Sequence, residues 1–220
     1  MTQGREKVSI VVPTYNERDN VQPLCDGIRE SLNAEWDYEV IIVDDNSPDG
    51  TSEAVRQMAA DDPRIRLLQR PGKLGLGTAV TDGFSLAGGG YWVMMDADLS
   101  HRPQDLPKLL VALSDADIVV GSRYIDGGGV VNWPLRRRIA SRGASAVGRV
   151  IVGLRVRDLT SGFGGFRRRW MEPLLPSLNP KGFKLLLEIL AKSRGARVTD
   201  SLADINMHYL PYGSKAHSFA

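Results

Sequence analysis

The sequence predicts an α/β fold with a mainly parallel central sheet and helices on both faces. Strand-length runs such as "VSIVVP" and "YWVMM" are apolar at nearly every position, as strands covered on both faces require. Between them, apolar residues recur at i, i+3, i+4 and i+7, the spacing of one helix face. Acids gather where the runs end, as expected if the carboxyl ends of parallel strands line one crevice.

In chain order, Val8–Pro13 is the first expected strand, followed by a turn in "VVPTYNE" and a helix marked by Val21, Leu24, Cys25, Ile28 and Leu32. Glu39–Asp44 is the second strand, with "VDDNSPDGT" as its turn and Ala54, Val55 and Met58 on the next helix. Arg64–Gln69 is a weaker strand. The glycine-rich "GKLGLGTA" after it lacks the spacing of a Walker loop or a dinucleotide fingerprint, and a helix carrying Leu76, Val80 and Phe84 follows. Tyr91–Asp96 and Asp117–Gly121 are strands flanking a helix built on Leu106, Leu109, Leu110 and Leu113. Beyond Gly121, residues 123–169 hold eleven Arg, no Lys and only Asp126 and Asp158 as acids, so this segment is strongly basic. "KGFKLLLEILAKSRG" reads as a helix with a glycine stop and "ARVTDSLADINMHY" as a candidate strand. With no repeat, low-complexity tract or linker, residues 1–220 are expected to form one domain, 7–121 differing in texture from 122–195.

A hydrophobic content of 42 % over 220 residues supports a substantial core. The net charge of +2 is too small to indicate nucleic-acid binding, and none is expected. One cysteine, Cys25, excludes an internal disulfide and a cysteine-rich zinc site, and its helical neighbours assign it to the core. The first residues carry no apolar signal segment, and no run approaches the about 18 apolar residues of a membrane span. The expected location is cytoplasmic, with any membrane met at its surface.

The stretch "YWVMMDADLSH" ends a buried run in two carboxylates spaced i, i+2. On an extended strand, Asp96 and Asp98 would face the same way and present hard oxygens to Mg²⁺ or Mn²⁺. The alternative is that they cap or solvate the strand end. Ser100 adds either a hydroxyl to such a site or a helix cap before Arg102-Pro103. Pro13, Tyr15 and Glu17 in the first turn and Asp45 in the second put a ring and carboxylates at neighbouring strand ends, which suits a nucleoside or is ordinary turn chemistry. Between Leu135 and Leu154, Val147, Val150, Ile151 and Leu154 share one stripe, with Arg138, Arg142, Ser145 and Arg149 on another. This amphipathic pattern fits a helix on an anionic membrane surface or one docked on the core. Arg155, Arg157, Arg167 and Arg168 read as a solvated face, and His101, His208 and His217 have no ligand spacing.

Taken in order, "VVPTYNE", "VDDNSPDGT", "GLGTA", "MDADLSH", "GSRY", "NWPLRRR", "TSGF" and "KGFKLLLEIL" resemble the polyprenyl (dolichyl) phosphate mannose synthases among the inverting GT-A glycosyltransferases. The resemblance runs from about Lys7 to Leu190. It implies a GT-A-type domain, GDP-mannose as donor, a prenyl phosphate as acceptor and a divalent metal. It places Pro13, Tyr15, Glu17, Val43 and Asp45 around the nucleoside, and Asp96, Ala97, Asp98 and Ser100 around metal and diphosphate. Asp96, Asp98 and Ser100 would be the metal contacts. Arg123, Arg137 and Lys184, with Ser141, would hold phosphates, and Asp98, Arg123 and Arg137 would carry catalysis. The chain departs from the family pattern at Ser100, where several relatives have Gln, and in "HYLPYGSKAHSFA", where Tyr209 or His208 replaces an Arg and Lys215 is retained.

A phosphate acceptor fits the residues. A phosphate monoester with a second pKa of about 6 is already a dianion near neutrality, so it needs positive charge for positioning rather than a base. The Arg-rich segment answers that need. A hydroxyl acceptor would need a base, for which Glu188 is the candidate; its other reading is a helix acid paired with Lys184 or Lys192 at i±4. Another donor such as UDP-glucose, and a non-catalytic nucleotide-sugar binding protein, stand as alternatives.

Overall fold

The protein is described by a computed structural model that covers residues 6–32, 35–122, 158, 161–180, 185–193 and 195–202. Arg123, Arg137, Ser141, Lys184, His208, Lys215 and the amphipathic pattern of 135–154 lie outside the described residues. The elements run β1 (Val8–Thr14), α1 (Arg18–Leu32), β2 (Tyr38–Asp44), α2 (Thr51–Asp61), β3 (Ile65–Gln69), α3 (Leu76–Ser85) and β4 (Tyr91–Met94). There follow a 3₁₀ turn at Pro103–Asp105, α4 (Leu106–Leu113), β5 (Ile118–Ser122), β6 (Gly164–Arg167), a single helical turn α5 (Arg168–Met171), α6 (Leu185–Lys192) and β7 (Val198–Leu202).

One seven-stranded sheet has the order β3-β2-β1-β4-β6-β5-β7. β1 pairs in parallel with both β2 and β4, β2 with β3, and β5 with β7, whereas β6 is antiparallel to both β4 and β5. The expected mainly parallel sheet is therefore present. Its order reverses at the β1/β4 boundary, so the loops leaving these strands part there and open a crevice.

The period of 2 along each strand sorts the core into two layers. Val8, Ile10 and Val12 of β1 with Val40 and Ile42 of β2 pack on Leu24 and Ile28 of α1, Val55 of α2 and Leu109 of α4. Val11, Ile41 and Val43 turn the other way, onto Val80 and Phe84 of α3 and Leu186 and Ile189 of α6. Helices thus cover both faces. Gly83 lets α3 approach: a Cβ there would lie 2.3 Å from a Val11 methyl carbon. Cys25 is buried on α1 as expected, and burial pushes its thiol up to about 12, which keeps it unreactive.

At the amino end of the sheet, the buried Glu39 closes the α3–β4 turn onto β1. Its carboxylate accepts hydrogen bonds from Ser9 Oγ at 2.7 Å, Gly88 N at 2.9 Å and Arg66 at 2.8 Å, with Lys7 at 3.5 Å. Burial alone would raise its pKa, but the bonds from Ser9, Gly88 and Arg66 together with Lys7 hold it at about 2.

Two sequence expectations change. β4 ends at Met94 rather than Asp96, because the chain bends at 97–99, with Leu99 at φ 59°. Asp96 and Asp98 therefore belong to a loop, not to one face of an extended strand. Arg167 is not simply part of a solvated face, whereas Arg168 is. Arg167 donates to the carbonyls of Leu113 (2.9 Å), Ser114 (2.5 Å) and Ala116 (3.0 Å), closing the carboxyl end of α4, where a cation also complements the helix dipole. Arg168 pairs with Glu172 at 2.7 Å on the surface.

Because the Glu39 carboxyl is held low, its contribution to stability is complete above the ordinary glutamate value of 4.5 and is lost as pH falls towards about 2. Glu39→Gln should lower stability at pH 7 by about 1–3 kcal/mol and flatten the pH dependence across that window. Urea melts of both proteins across the acid range check this; parallel curves would refute it.

Candidate active site

Three loops leave the carboxyl ends of β1, β2 and β4, and each contains one of the three left-handed non-glycine residues among the described residues: Asn16 (φ 61°), Asn46 (φ 58°) and Leu99 (φ 59°). Asn tolerates this conformation, whereas for Leu it is strained. Such strain gathers where a loop must present its groups in one arrangement.

The first two loops are laced together. Ser47 Oγ accepts from Asn16 N (2.9 Å), Thr51 Oγ1 from Glu17 N (3.0 Å) and Asp49 from Arg18 N (3.1 Å). Asp44 organises the second loop from inside: its buried carboxylate accepts from Thr14 Oγ1 (3.0 Å), Ser47 N (2.9 Å), Ser47 Oγ (2.5 Å) and Ser52 Oγ (2.6 Å).

Asp45 points towards the glycine-rich loop. One carboxylate oxygen accepts from Arg70 Nε at 2.5 Å and the other from the amides of Leu74 and Gly75, both at 3.1 Å. Arg70 is itself 4 % exposed and also donates to Thr78 Oγ1 (2.7 Å), Asp82 (3.2 Å) and the Gly75 carbonyl (3.0 Å). The pair thereby ties "GKLGLGTA" and the start of α3 to the end of β2. The loop in turn brings Lys73 over the Tyr15 ring, with the ammonium 4.4 Å from its centre, within cation–π reach.

At the end of β4, Asp98 is exposed and Asp96 half-buried. Asp98 Oδ1 accepts from Ser100 N at 3.0 Å, a turn of the kind Asp forms with the residue two ahead. Ser100 is buried and does not cap the following 3₁₀ turn, whose N-cap is Arg102. Glu17 faces these acids across the crevice. Burial raises its pKa most; a hydrogen bond from Asn20 (2.6 Å) opposes this, and the negative charges of Asp98, Asp49 and Asp96 raise it further. Among the described residues no three His, Cys, Asp or Glu side chains form a cation site of their own.

The structure thus brings Tyr15, Glu17, Asp45, Asp96 and Asp98 to one end of the sheet, but it does not present every predicted side chain there. Pro13 is buried in β1, Val43 lies within the core beneath α3, and Ala97 packs on the α1 side. Glu188, on α6, accepts from Asn179 N (2.9 Å) and Lys192 Nζ (2.6 Å). The Lys192 bond in particular holds its carboxyl below the usual glutamate range. Arg70 and Lys73 were missed: a lone Arg after a strand and a Lys in a glycine loop carry no recognisable spacing.

The fold is that of an α/β domain with acids at the carboxyl ends of its strands, and the family model of Glycosyl transferase family 2 matches residues 9–175. The chain belongs to that family. It is 42 % identical to a dolichol-phosphate mannosyltransferase of Pyrococcus furiosus, over 88 % of this chain and 55 % of the relative, so it spans about half that protein's length. It is 35 % identical to a polyprenol monophosphomannose synthase of Mycolicibacterium smegmatis, over 84 % of this chain and 71 % of the relative. The identity is also 35 % with an undecaprenyl-phosphate mannosyltransferase of Micrococcus luteus, over 88 % and 81 %. Among solved structures it resembles a mannosyltransferase of Pyrobaculum calidifontis in complex with GDP-Man and Mn²⁺, with a TM-score of 0.67 and 23 % identity, over 93 % of this chain and 56 % of that one. A glucosyl-3-phosphoglycerate synthase of Mycobacterium tuberculosis gives 0.63 and 20 %, over 89 % and 69 %. The expected GT-A-type fold is the one observed.

Removing the Arg70 cation leaves a buried carboxylate with amide donors only. Arg70→Met should destabilise the protein by about 3–5 kcal/mol, and adding Asp45→Asn should restore part of the loss because a neutral amide needs no counter-charge. Equilibrium urea unfolding measures both; wild-type stability in Arg70→Met would overturn the assignment.

Proposed function

We propose that the chain transfers mannose from GDP-mannose to a prenyl phosphate with inversion at the sugar carbon. The observation that carries this reading is that the relatives named above share mannose and a prenyl phosphate in their names and align over most of this chain. Residues 7–121 would bind donor and metal, and 122–195 would bind the acceptor phosphate and face a membrane.

The strand-end acids fit a divalent cation. Asp98 is exposed and Asp96 stands two residues away; two carboxylates suit Mg²⁺ or Mn²⁺ that fills its remaining positions with substrate phosphate and water. Asp96 and Asp98 would hold the ion, and Ser100 would contribute by its position in the same turn. When bound, the cation would neutralise the charge developing on the departing diphosphate. Tyr15 and Glu17 would border the nucleoside. Asp45, whose oxygens hold the Arg70 side chain and the Leu74 and Gly75 amides, would shape that border through the glycine-rich loop.

In the reaction, an acceptor phosphate oxygen attacks the anomeric carbon from the face opposite GDP. The bond from that carbon to the donor phosphate oxygen breaks, its electron pair leaving with GDP. The acceptor is already ionised, so no proton has to be removed. Arg123, Arg137, Lys184 and Ser141 are assigned to the phosphates on the strength of the Arg-rich, acid-poor composition of their segment. The engagement and depressed pKa of Glu188 argue against its serving as a base for a hydroxyl acceptor.

Steady-state kinetics with GDP-mannose and prenyl phosphate test the reading. Arg137→Ala should lose about 1.5–3 kcal/mol of acceptor or transition-state binding, roughly 10- to 150-fold in kcat/KM, with donor binding unchanged. Glu188→Gln should keep most activity. A folded Glu188→Gln protein that is inactive beside an active Arg137→Ala protein would indicate a hydroxyl acceptor instead.

No helix among the described residues is long and apolar enough to cross a membrane. The basic stripe of Arg138, Arg142 and Arg149 in the sequence would meet the acceptor at a cytoplasmic membrane surface. Each such cation near anionic lipid contributes about 1 kcal/mol. The protein should sediment with anionic vesicles more than with neutral ones, the excess shrinking as salt rises; equal partition at low salt would remove the support for this surface.

A further inference from the structure

Two residues that take no part in the chemistry above border Asp96. His101 is 4 % exposed, and its Nδ1 lies 3.1 Å from the backbone nitrogen of Asp96 but 3.6 Å from Oδ2 of the same residue. The shorter contact requires a lone pair on Nδ1, because the amide can only donate, and so it assigns the ring proton to Nε2. The ring plane is set by stacking on Phe163, with centroids 5.4 Å apart and planes at 21°. Phe163 is in turn pinned: its amide donates to Ser161 Oγ at 3.1 Å, and its carbonyl accepts from Gly121 N at 3.0 Å, at the end of β5.

The neighbouring Gly162 backs the carboxylate itself. A Cβ at this position would stand 2.3 Å from Asp96 Oδ2 and 2.9 Å from Cγ, so the acid lies directly on the glycine Cα. The yielding partner in such a clash is the end of the Asp96 side chain rather than the backbone. A side chain at 162 would consequently move the carboxylate.

We propose that His101 and Gly162 are positioning residues that fix the Asp96 carboxylate for a divalent cation, His101 through the Asp96 amide and Gly162 by leaving room for the carboxylate. This rests on the metal assignment made under Proposed function. The loop carrying Asp96 and Asp98 contains a strained Leu99 and leaves the strand ladder after Met94, so it needs outside support to hold one arrangement. Residues 161–163 and the imidazole supply it. Partners of a ligand that orient it commonly change metal affinity by about 10- to 100-fold when removed.

The experiment measures Mn²⁺ affinity of the full chain in the presence of GDP, from the electron paramagnetic resonance signal of free Mn²⁺, beside metal-free GDP affinity by calorimetry and thermal melting. His101→Ala and Gly162→Ala should each weaken Mn²⁺ binding by about 10- to 100-fold without changing metal-free GDP affinity. His101→Asn, whose amide oxygen can accept from the Asp96 N–H, should recover most of the loss. Should His101→Ala fail to fold, His101→Asn and Gly162→Ala decide the matter. Unchanged Mn²⁺ affinity in folded His101→Ala or Gly162→Ala, or a His101→Asn protein as weak as His101→Ala, overturns the inference while Asp98→Asn still abolishes binding. A wild-type protein that does not bind Mn²⁺ overturns the metal assignment and this inference together.

Discussion

A carboxylate removed from water must be surrounded by donors, and both ends of the central sheet are arranged around that requirement. At the amino end Glu39 gathers a serine hydroxyl, a glycine amide and an arginine, and so fastens the turn before β4 to β1. At the carboxyl end Asp44 is satisfied by hydroxyls and an amide, Asp45 by a buried arginine and two amides. These acids belong to the architecture. Glu17 differs from them: burial above all, and then the neighbouring negative charge of Asp98, Asp49 and Asp96, makes it hold its proton more firmly. Negative charge therefore gathers around Glu17, while Glu39, Asp44 and Asp45 find their partners within the protein itself.

Much of this was legible beforehand, and the reasons are physical. A strand covered on both faces has no polar side to display, so β1, β2, β4 and β5 stand out as apolar runs. The helices announce themselves by the recurrence of Leu and Val at every third and fourth place. β6 escaped notice because "GGFR" has neither β-branched residues nor length; it is a strand because Gly164 and Gly165 can lie flat between β4 and β5, where a Cβ on Gly165 would meet Leu109 at 2.4 Å. The end of β4 was misjudged because period-2 spacing in a sequence does not reveal where a ladder stops.

At the site the acids were legible and their supports were not. Asp45, Asp96 and Asp98 follow apolar runs, a local signal. Arg70 finds its partners 25 and 12 residues away in Asp45 and Asp82, and nothing in the residues between marks the meeting. His101 lacks ligand spacing; its contact is with a backbone amide, a kind of partner that residue spacing does not display. Pro13, Val43 and Ala97 face inwards, so any contact they make with a ligand must come from the main chain.

The position of β6 has a consequence for the order in which the molecule comes together. Strands β1 to β4 and their helices are joined by short connections and can associate from nearby parts of the chain, but Met94 finds its partner only at Gly164. Closing so long a loop costs entropy before any pairing repays it. The returning segment also brings the glycine and the aromatic ring that border Asp96. A chain still emerging during synthesis can thus build β1 to β4 and their helices early, yet the acidic loop acquires its surroundings only when β6 returns to pair with β4. Capacity to hold a cation there would then report the arrival of β6 beside β4, which ties ligand competence to a long-range step of folding.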